Sequence, residues 1–257
     1  MAETTILVED VSMVFSTRDG DVHALDKVNF GAREGEFFSI LGPSGCGKST
    51  LLRIIGGLLR PTDGRVAVNG SRVTGPTPDV GIVFQSPVLM NWRTVLDNVM
   101  LQAEVRGLNL KEYRTRAMGL LEMVGLAGFE DKYPYQLSGG MQQRASICRA
   151  LVHDPPLLLM DEPFGALDAL TRERMNLELL RIWEASRKTV LFITHSIPEA
   201  VFLSDRVAIM SPRPGHLDEI ASTRLPRPRT MATMEEDTFV KTVGTIRRSL
   251  KQEGSID

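Results

Sequence analysis

An α/β architecture follows from three features of the chain. Residues 36–52 run from Glu-Phe-Phe-Ser-Ile-Leu through the glycine turn Gly42-Pro43-Ser44-Gly45-Cys46-Gly47-Lys48-Ser49-Thr50 into Leu51-Leu52, a strand, a loop and a helix start. Leu157–Met160 and Thr189–Thr194 are short apolar-rich runs followed by Asp161-Glu162 and His195. That is the pattern of buried parallel strands whose C-terminal ends face a crevice. Between the two regions lies a long stretch of three- and four-residue apolar spacing, which predicts a helical insertion. With 257 residues, 24% charged and 42% apolar, the composition is that of an ordinary globular protein able to bury a substantial core.

Taken in order, Ile6–Val11 and Val28–Phe30 alternate as strands do, with Arg18–Asp21 as the polar turn of an antiparallel lead-in. Phe15 closes the first run; its ring suits either the stacking of a purine base or a place in the core. Gly64–Gly70 reads as a strand closed by an Asn-Gly turn, and Asp79–Gln85 as a buried strand ending at Gln85. Helical spacing then runs over Thr94–Val105 and Leu110–Val124. Ser138 caps a helix that starts in a second glycine pair, Gly139-Gly140, and continues to about His153. A long helix is predicted over about Leu170–Ser186. Leu225–Arg229 reads as a stiff linker, and Phe239, Val243, Ile246 and Leu250 share one face of a terminal helix.

The chemistry lies in the turns. Gly42, Gly47, Lys48 and Ser49 fit G-x-x-x-x-G-K-[ST], in which small residues let backbone N–H groups from Gly42 to Thr50 curl around a phosphate. A helix start adds its positive end, Lys48 reaches the β- and γ-phosphates, and the Ser49 hydroxyl suits a Mg²⁺ that bridges them. Asp161 would orient that metal's shell, and Glu162 would accept the proton of an attacking water. Gln85 suits a metal ligand, a water holder or a polar residue leaving the sheet. His195 suits a γ-phosphate contact, by its position beside the other strand ends. Cys46, among N–H groups and near Lys48, is expected to have a thiol unusually ready to ionise.

Balanced charge, 30 basic against 32 acidic residues, gives no electrostatic reason for a nucleic-acid partner. No apolar run approaches the roughly 18 residues a membrane span needs. Met1–Thr5 carries no signal-peptide pattern, which predicts a protein of the cytosol. Cys46 and Cys148 form no CxxC or Cys/His cluster, so neither a disulfide framework nor a zinc site is indicated.

In order and spacing, Gly42–Ser49, Gln85, Leu137–Gln142, Leu157–Glu162, Ala166–Asp168 and His195 resemble the ATP-binding cassette subunit of ABC transporters, from about Ile6 to Gly215. Leu-Ser-Gly-Gly-Met-Gln at 137–142 is the discriminating element. The resemblance implies a P-loop NTPase (ABC ATPase) core with an antiparallel β subdomain and an inserted helical subdomain. It places the ATPase domain at 5–215, its helical subdomain at about 87–153, and a linker and docked C-terminal helix at 216–257. It implies an ATPase coupled to transmembrane transport, using ATP and Mg²⁺. In a head-to-tail dimer, Lys48, Ser49, Gln85, Asp161, Glu162 and His195 of one copy would enclose ATP against Ser138, Gly139, Gly140 and Gln142 of the other. Phe15 matches the adenine-stacking aromatic and Asp168 the residue linking the two sites.

Because the chain lacks a membrane span, transport requires permease partners, gripped near Gln85 and the candidates Leu89, Met90 and Trp92, which equally suit the core of the helical subdomain. The protein would then lie peripherally on the cytoplasmic face of the membrane. Residues 91–99, 177–183 and Ser211-Pro212-Arg213-Pro214-Gly215 resemble the nitrate, sulfonate and taurine uptake group, which would add a periplasmic or extracellular solute-binding protein. An exporter or lipid-transport ATPase shares every motif. A DNA-repair or chromosome clamp would need a long coiled coil between Ser49 and Ser138, where only about ninety residues lie and no heptads run.

Overall fold

The computed structural model describes residues 4–165 and 167–252. Met1–Glu3 of the leader reading and Ala166 of the Ala166–Asp168 match lie outside the described residues. The chain opens with a hairpin of β1 (Thr4–Thr17) and β2 (Gly20–Arg33), each 14 residues long. Only part of their length was legible as strand, because the tip residues Ser16, Thr17, Gly20 and Asp21 are polar or small and exposed, and the buried Met13, Ala24 and Leu25 follow no unbroken alternation. Phe15 there pairs with Val22 across the ladder, a tie no local periodicity reveals. β3 (Phe37–Leu41) follows, buried at all five positions, and leads through 42–47 into α1 (Lys48–Ile55).

Next come β4 (Asp63–Val68) and the two-residue β5 (Ser71–Arg72). Their turn places Asn69 and Gly70 at φ 49° and 73°, the left-handed pair that joins short hairpins. These strands extend the hairpin into a sheet of order β2-β1-β4-β5. β6 (Val80–Val83) precedes three helices. They are α2 (Val95–Val105), α3 (Leu110–Met123) and α4 (Gly139–Leu151), capped by the side chains of Thr94, Asn109 and Ser138. Each cap oxygen accepts a backbone N–H that the helix itself leaves free.

The second half alternates strand and helix: β7 (Leu157–Asp161), α5 (Ala169–Ser186), β8 (Thr189–Thr194), α6 (Ile197–Leu203), β9 (Arg206–Met210). β10 (Leu217–Ser222) turns back antiparallel on β9, and α7 (Asp237–Gln252) ends the described chain. The main sheet has the order β10-β9-β3-β8-β7-β6, parallel from β9 to β6.

Strand alternation sorts this sheet's side chains into two cores. Phe38, Ile40, Leu157, Leu159, Leu191 and Ile193 meet α1 and the antiparallel sheet. Phe37, Leu41, Leu158, Met160, Val190 and Phe192 meet the helices. The sheet is thus covered on both faces, which explains why its strands read as continuous apolar runs.

The 225–229 segment is packed rather than a free spacer. The Arg227 guanidinium lies 3.9 Å over the Trp183 ring and pairs with Asp205 at 2.9 Å. Arg229, 4% exposed, donates to the carbonyls of Val201, Phe202 and Ser204 at the end of α6. Phe239, Ile246 and Leu250 of α7 are buried in the helical-side core.

Candidate functional site

Parallel neighbours share a direction, so the C-terminal ends of β3, β8, β7 and β6 open on one edge of the sheet. The glycine loop leaves β3 there, Asp161 and Glu162 end β7, and His195 follows β8. Gln85 lies two residues past β6 and is exposed, so it does not end a buried strand; the strand stops at Val83 because the chain must leave the sheet for α2. A cleft of about 310 Å³ lies at this edge, lined by Phe15, Ser44, Gly45, Lys48, Ser49, Gln85 and Glu162 among others, a size suited to a small ligand.

Gly47 caps α1 at φ 105°, a conformation open to glycine. A Cβ there would also meet Ala24 O at 2.8 Å, so the loop packs against β2 as well as adopting a left-handed turn. Lys48 folds its ammonium back on the loop, donating to the carbonyls of Gly42 and Pro43 at 2.8 Å each. The Ser49 hydroxyl donates to Asp161 Oδ1 at 2.9 Å. Burial pushes the Asp161 carboxyl up, with Ser49's hydrogen bond opposing. Glu162 has φ 44°, uncommon for a side chain of its kind. That turn aims its carboxylate along the edge, where Oε2 accepts from Gln85 Nε2 at 3.3 Å and meets His195 Nδ1 at 3.1 Å.

Three positions differ from expectation or were not read. Cys46 is 1% exposed and its thiol is pushed up by burial, which outweighs the pull of Lys48; readiness to ionise is overturned because Sγ turns into the core beneath Gly42. Glu199 was missed. The Thr194 hydroxyl donates to its carboxylate, Ser196 N donates to Thr194 Oγ1 at 3.0 Å, and Glu199 N donates to Ser196 Oγ at 3.4 Å, so the turn holding His195 is tied on both sides. The Ser196-x-x-Glu199 pattern of a helix start was its available signal. Arg213, quoted only for a group likeness, also lines the cleft.

The Ser138 end of α4 stands elsewhere. Ser138 and Gly139 are exposed, and neither they, Gly140, Gln142 nor Asp168 line the cleft. Ser138 Oγ accepts from Met141 N and Gln142 Nε2 donates to Pro134 O, while Asp168 caps α5, its carboxyl held low by the Thr171 amide. Leu89 and Met90 are half-buried, whereas Trp92 is 76% exposed.

A parallel sheet with a glycine loop after its central strand and carboxylates at the neighbouring strand end defines a phosphate-loop nucleotide-binding ATPase. The sequence profile of the ABC transporter family matches residues 25–165. The chain is 47% identical over 211 residues to a taurine import ATP-binding protein of Ruegeria pomeroyi, covering 82% of this chain and 79% of that one. An aliphatic sulfonates import ATP-binding protein of Bacillus cereus is 43% identical over 226 residues, covering 88% and 89%. A solved dimeric ATP-binding cassette, in a post-hydrolysis state bound to ADP and Pi, superposes with TM-score 0.78 at 35% identity, covering 85% and 99%. The chain belongs to the ABC transporter family, as an ATP-binding subunit with the P-loop NTPase core, the antiparallel sheet and the helical insertion. Among the described residues no helix is long and apolar enough to cross a membrane.

Proposed function

We propose that this chain hydrolyses ATP to drive import of a small sulfonate such as taurine, or of a related small anion such as nitrate, working as a head-to-tail pair beneath membrane permease subunits. The observation that carries the hydrolytic part is the Glu162 carboxylate, held between Gln85 and His195 beside the Ser49–Asp161 pair. The names of the taurine and sulfonate relatives support the solute class.

Loop amides from Gly42 to Thr50 and the Lys48 ammonium hold the triphosphate, and Phe15 stacks on adenine. Ser49, Asp161 and Gln85 present hard oxygen atoms, the donor set for Mg²⁺. Among the described residues no cluster of three or more His, Cys, Asp or Glu forms a metal site of its own, which fits a cation shared with phosphate oxygens. Bound there, it would neutralise charge on the β- and γ-phosphates. Glu162 takes a proton from water as its oxygen attacks the γ-phosphorus, ADP leaves, and phosphate is released. His195 braces Glu162 and reaches the γ-phosphate. The exposed N–H groups at the Ser138-Gly139-Gly140 start of α4 face a second copy, whose nucleotide they cover, and Asp168 links the two sites. Exposed Trp92, with Leu89 and Met90 behind it, meets the permease on the cytoplasmic face. A periplasmic or extracellular binding protein delivers the solute.

Glu162→Gln tests the site directly. It is expected to bind ATP and to pair in size-exclusion chromatography while steady-state hydrolysis falls by about 10²–10⁴-fold. Wild-type hydrolysis by this variant would remove Glu162 from the general-base role. For the solute, taurine-stimulated hydrolysis by the subunit assembled with its permease in proteoliposomes is expected, and stimulation by none of taurine, alkanesulfonates or nitrate would overturn that assignment.

A further inference from the structure

The chain returns to the phosphate loop once more, after residue 196. The turn between β9 and β10, residues 211–216, is laid directly on residues 42–46. Gly215 N donates to Ala24 O at 3.1 Å, and Asp26 N donates to Gly215 O at 3.0 Å. A Cβ on Gly215 would stand 1.9 Å from Cys46 O, and one on Gly42 would stand 2.9 Å from Met210 O. The turn is braced from within, since Ser211 Oγ and His216 Nδ1 are 2.8 Å apart and His216 N donates to Ser211 Oγ at 2.9 Å.

From this platform Arg213 reaches back over the loop. Its Nε and Nη2 donate to Gly45 O at 3.2 and 2.9 Å, and its side chain lines the cleft with Phe15, Val22, Ala24 and Ser44. A guanidinium carries five N–H groups in a rigid fork. Two serve Gly45, and the Nη1 group has no partner among the described residues. The Gly45 carbonyl would otherwise set a negative dipole at the lip of an anion site, and the guanidinium both covers it and adds a fixed positive charge.

We propose that Arg213 is a further nucleotide-binding residue, holding the Gly45 carbonyl while offering its remaining N–H groups to the phosphates on the Phe15 side of the cleft. This deepens the nucleotide-site reading and rests on it. The side chain lines the cleft on the side of Phe15, Val22 and Ala24, so the contact is expected to serve nucleoside di- and triphosphates alike.

The test titrates fluorescent N-methylanthraniloyl-ADP and -ATP, with Mg²⁺, into wild type, Arg213→Ala and Arg213→Lys. Loss of one charge-assisted contact is expected to weaken both nucleotides about tenfold in Arg213→Ala. Arg213→Lys should restore part of that, and the melting temperature of the nucleotide-free protein should stay unchanged. Equal affinities for wild type and Arg213→Ala would overturn the inference. So would a loss of affinity matched by a fall in the nucleotide-free melting temperature, which would assign Arg213 to holding the loop alone. Failure of wild type to bind either nucleotide would instead sink the nucleotide-site reading itself.

Discussion

Cys46 lies at the middle of the phosphate loop, yet its thiol turns inward beneath Gly42 and does not line the cleft. Burial, the larger influence, keeps that thiol protonated, with Sγ 3.9 Å from Lys48 Nζ. The thiolate is the reactive form, so Cys46 is expected to resist iodoacetamide at pH 8 in the native protein, with and without MgATP, and to react on unfolding. Rapid native labelling read by mass spectrometry would contradict this placement. Cys148, wholly buried and pushed up to about 12, is expected to behave alike. Gly215 makes a second demand at this spot. Gly215→Ala forces backbone apart, since the clash is with a carbonyl oxygen rather than the end of a flexible side chain. Its nucleotide affinity is expected to fall more than that of Arg213→Ala, measured by the same titration.

Helix α6 ties the hydrolytic edge to the tail. Its first turn holds His195 in place through Ser196, Thr194 and Glu199, and its last carbonyls accept from Arg229. These carbonyls have no intrahelical partner. Without the guanidinium, buried oxygens lose their donors, so Arg229→Met is expected to cost on the order of 3 kcal/mol in urea unfolding. An unchanged midpoint would show that water replaces it. The 225–229 segment read as a linker because Pro226 and Pro228 stiffen it; its burial depends on Trp183 and Asp205, twenty and more residues upstream. A second tie joins the chain just before Gln85 to the helical insertion, where buried Gln143 of α4 donates to Phe84 O at 3.0 Å.

For the molecule as a whole, the acid limb of stability has an identifiable contributor in His153. Burial, then repulsion from Arg106, Lys188 and Arg116, pulls its imidazole down to about 4, and neither ring nitrogen has a hydrogen-bond partner among the described residues. In the unfolded chain the group titrates near 6.5. Between these values the unfolded state binds more protons, so the stabilisation is complete above pH about 6.5 and lost as pH falls toward 4. His153→Gln is expected to show a shallower fall in melting temperature from pH 7 to 4.5 than wild type, and parallel curves would remove His153 from this role.

The phosphate loop, the strand-end carboxylates, the Ser138 cap and the helical insertion were legible in the sequence because each depends on spacing within a few residues. A glycine turn, a cap or an apolar period is written where it acts. The outer halves of β1 and β2, the direction of the Cys46 thiol, the packing of Gly215 on the loop and the burial of Arg229 were not. They join Ala24, Cys46, Asp205, Gly215 and Arg229, residues distant along the chain that meet only because β3 lies between β8 and β9. Sheet order is set by how two apolar faces are covered at once, a property of the assembled layers that no single stretch of sequence carries.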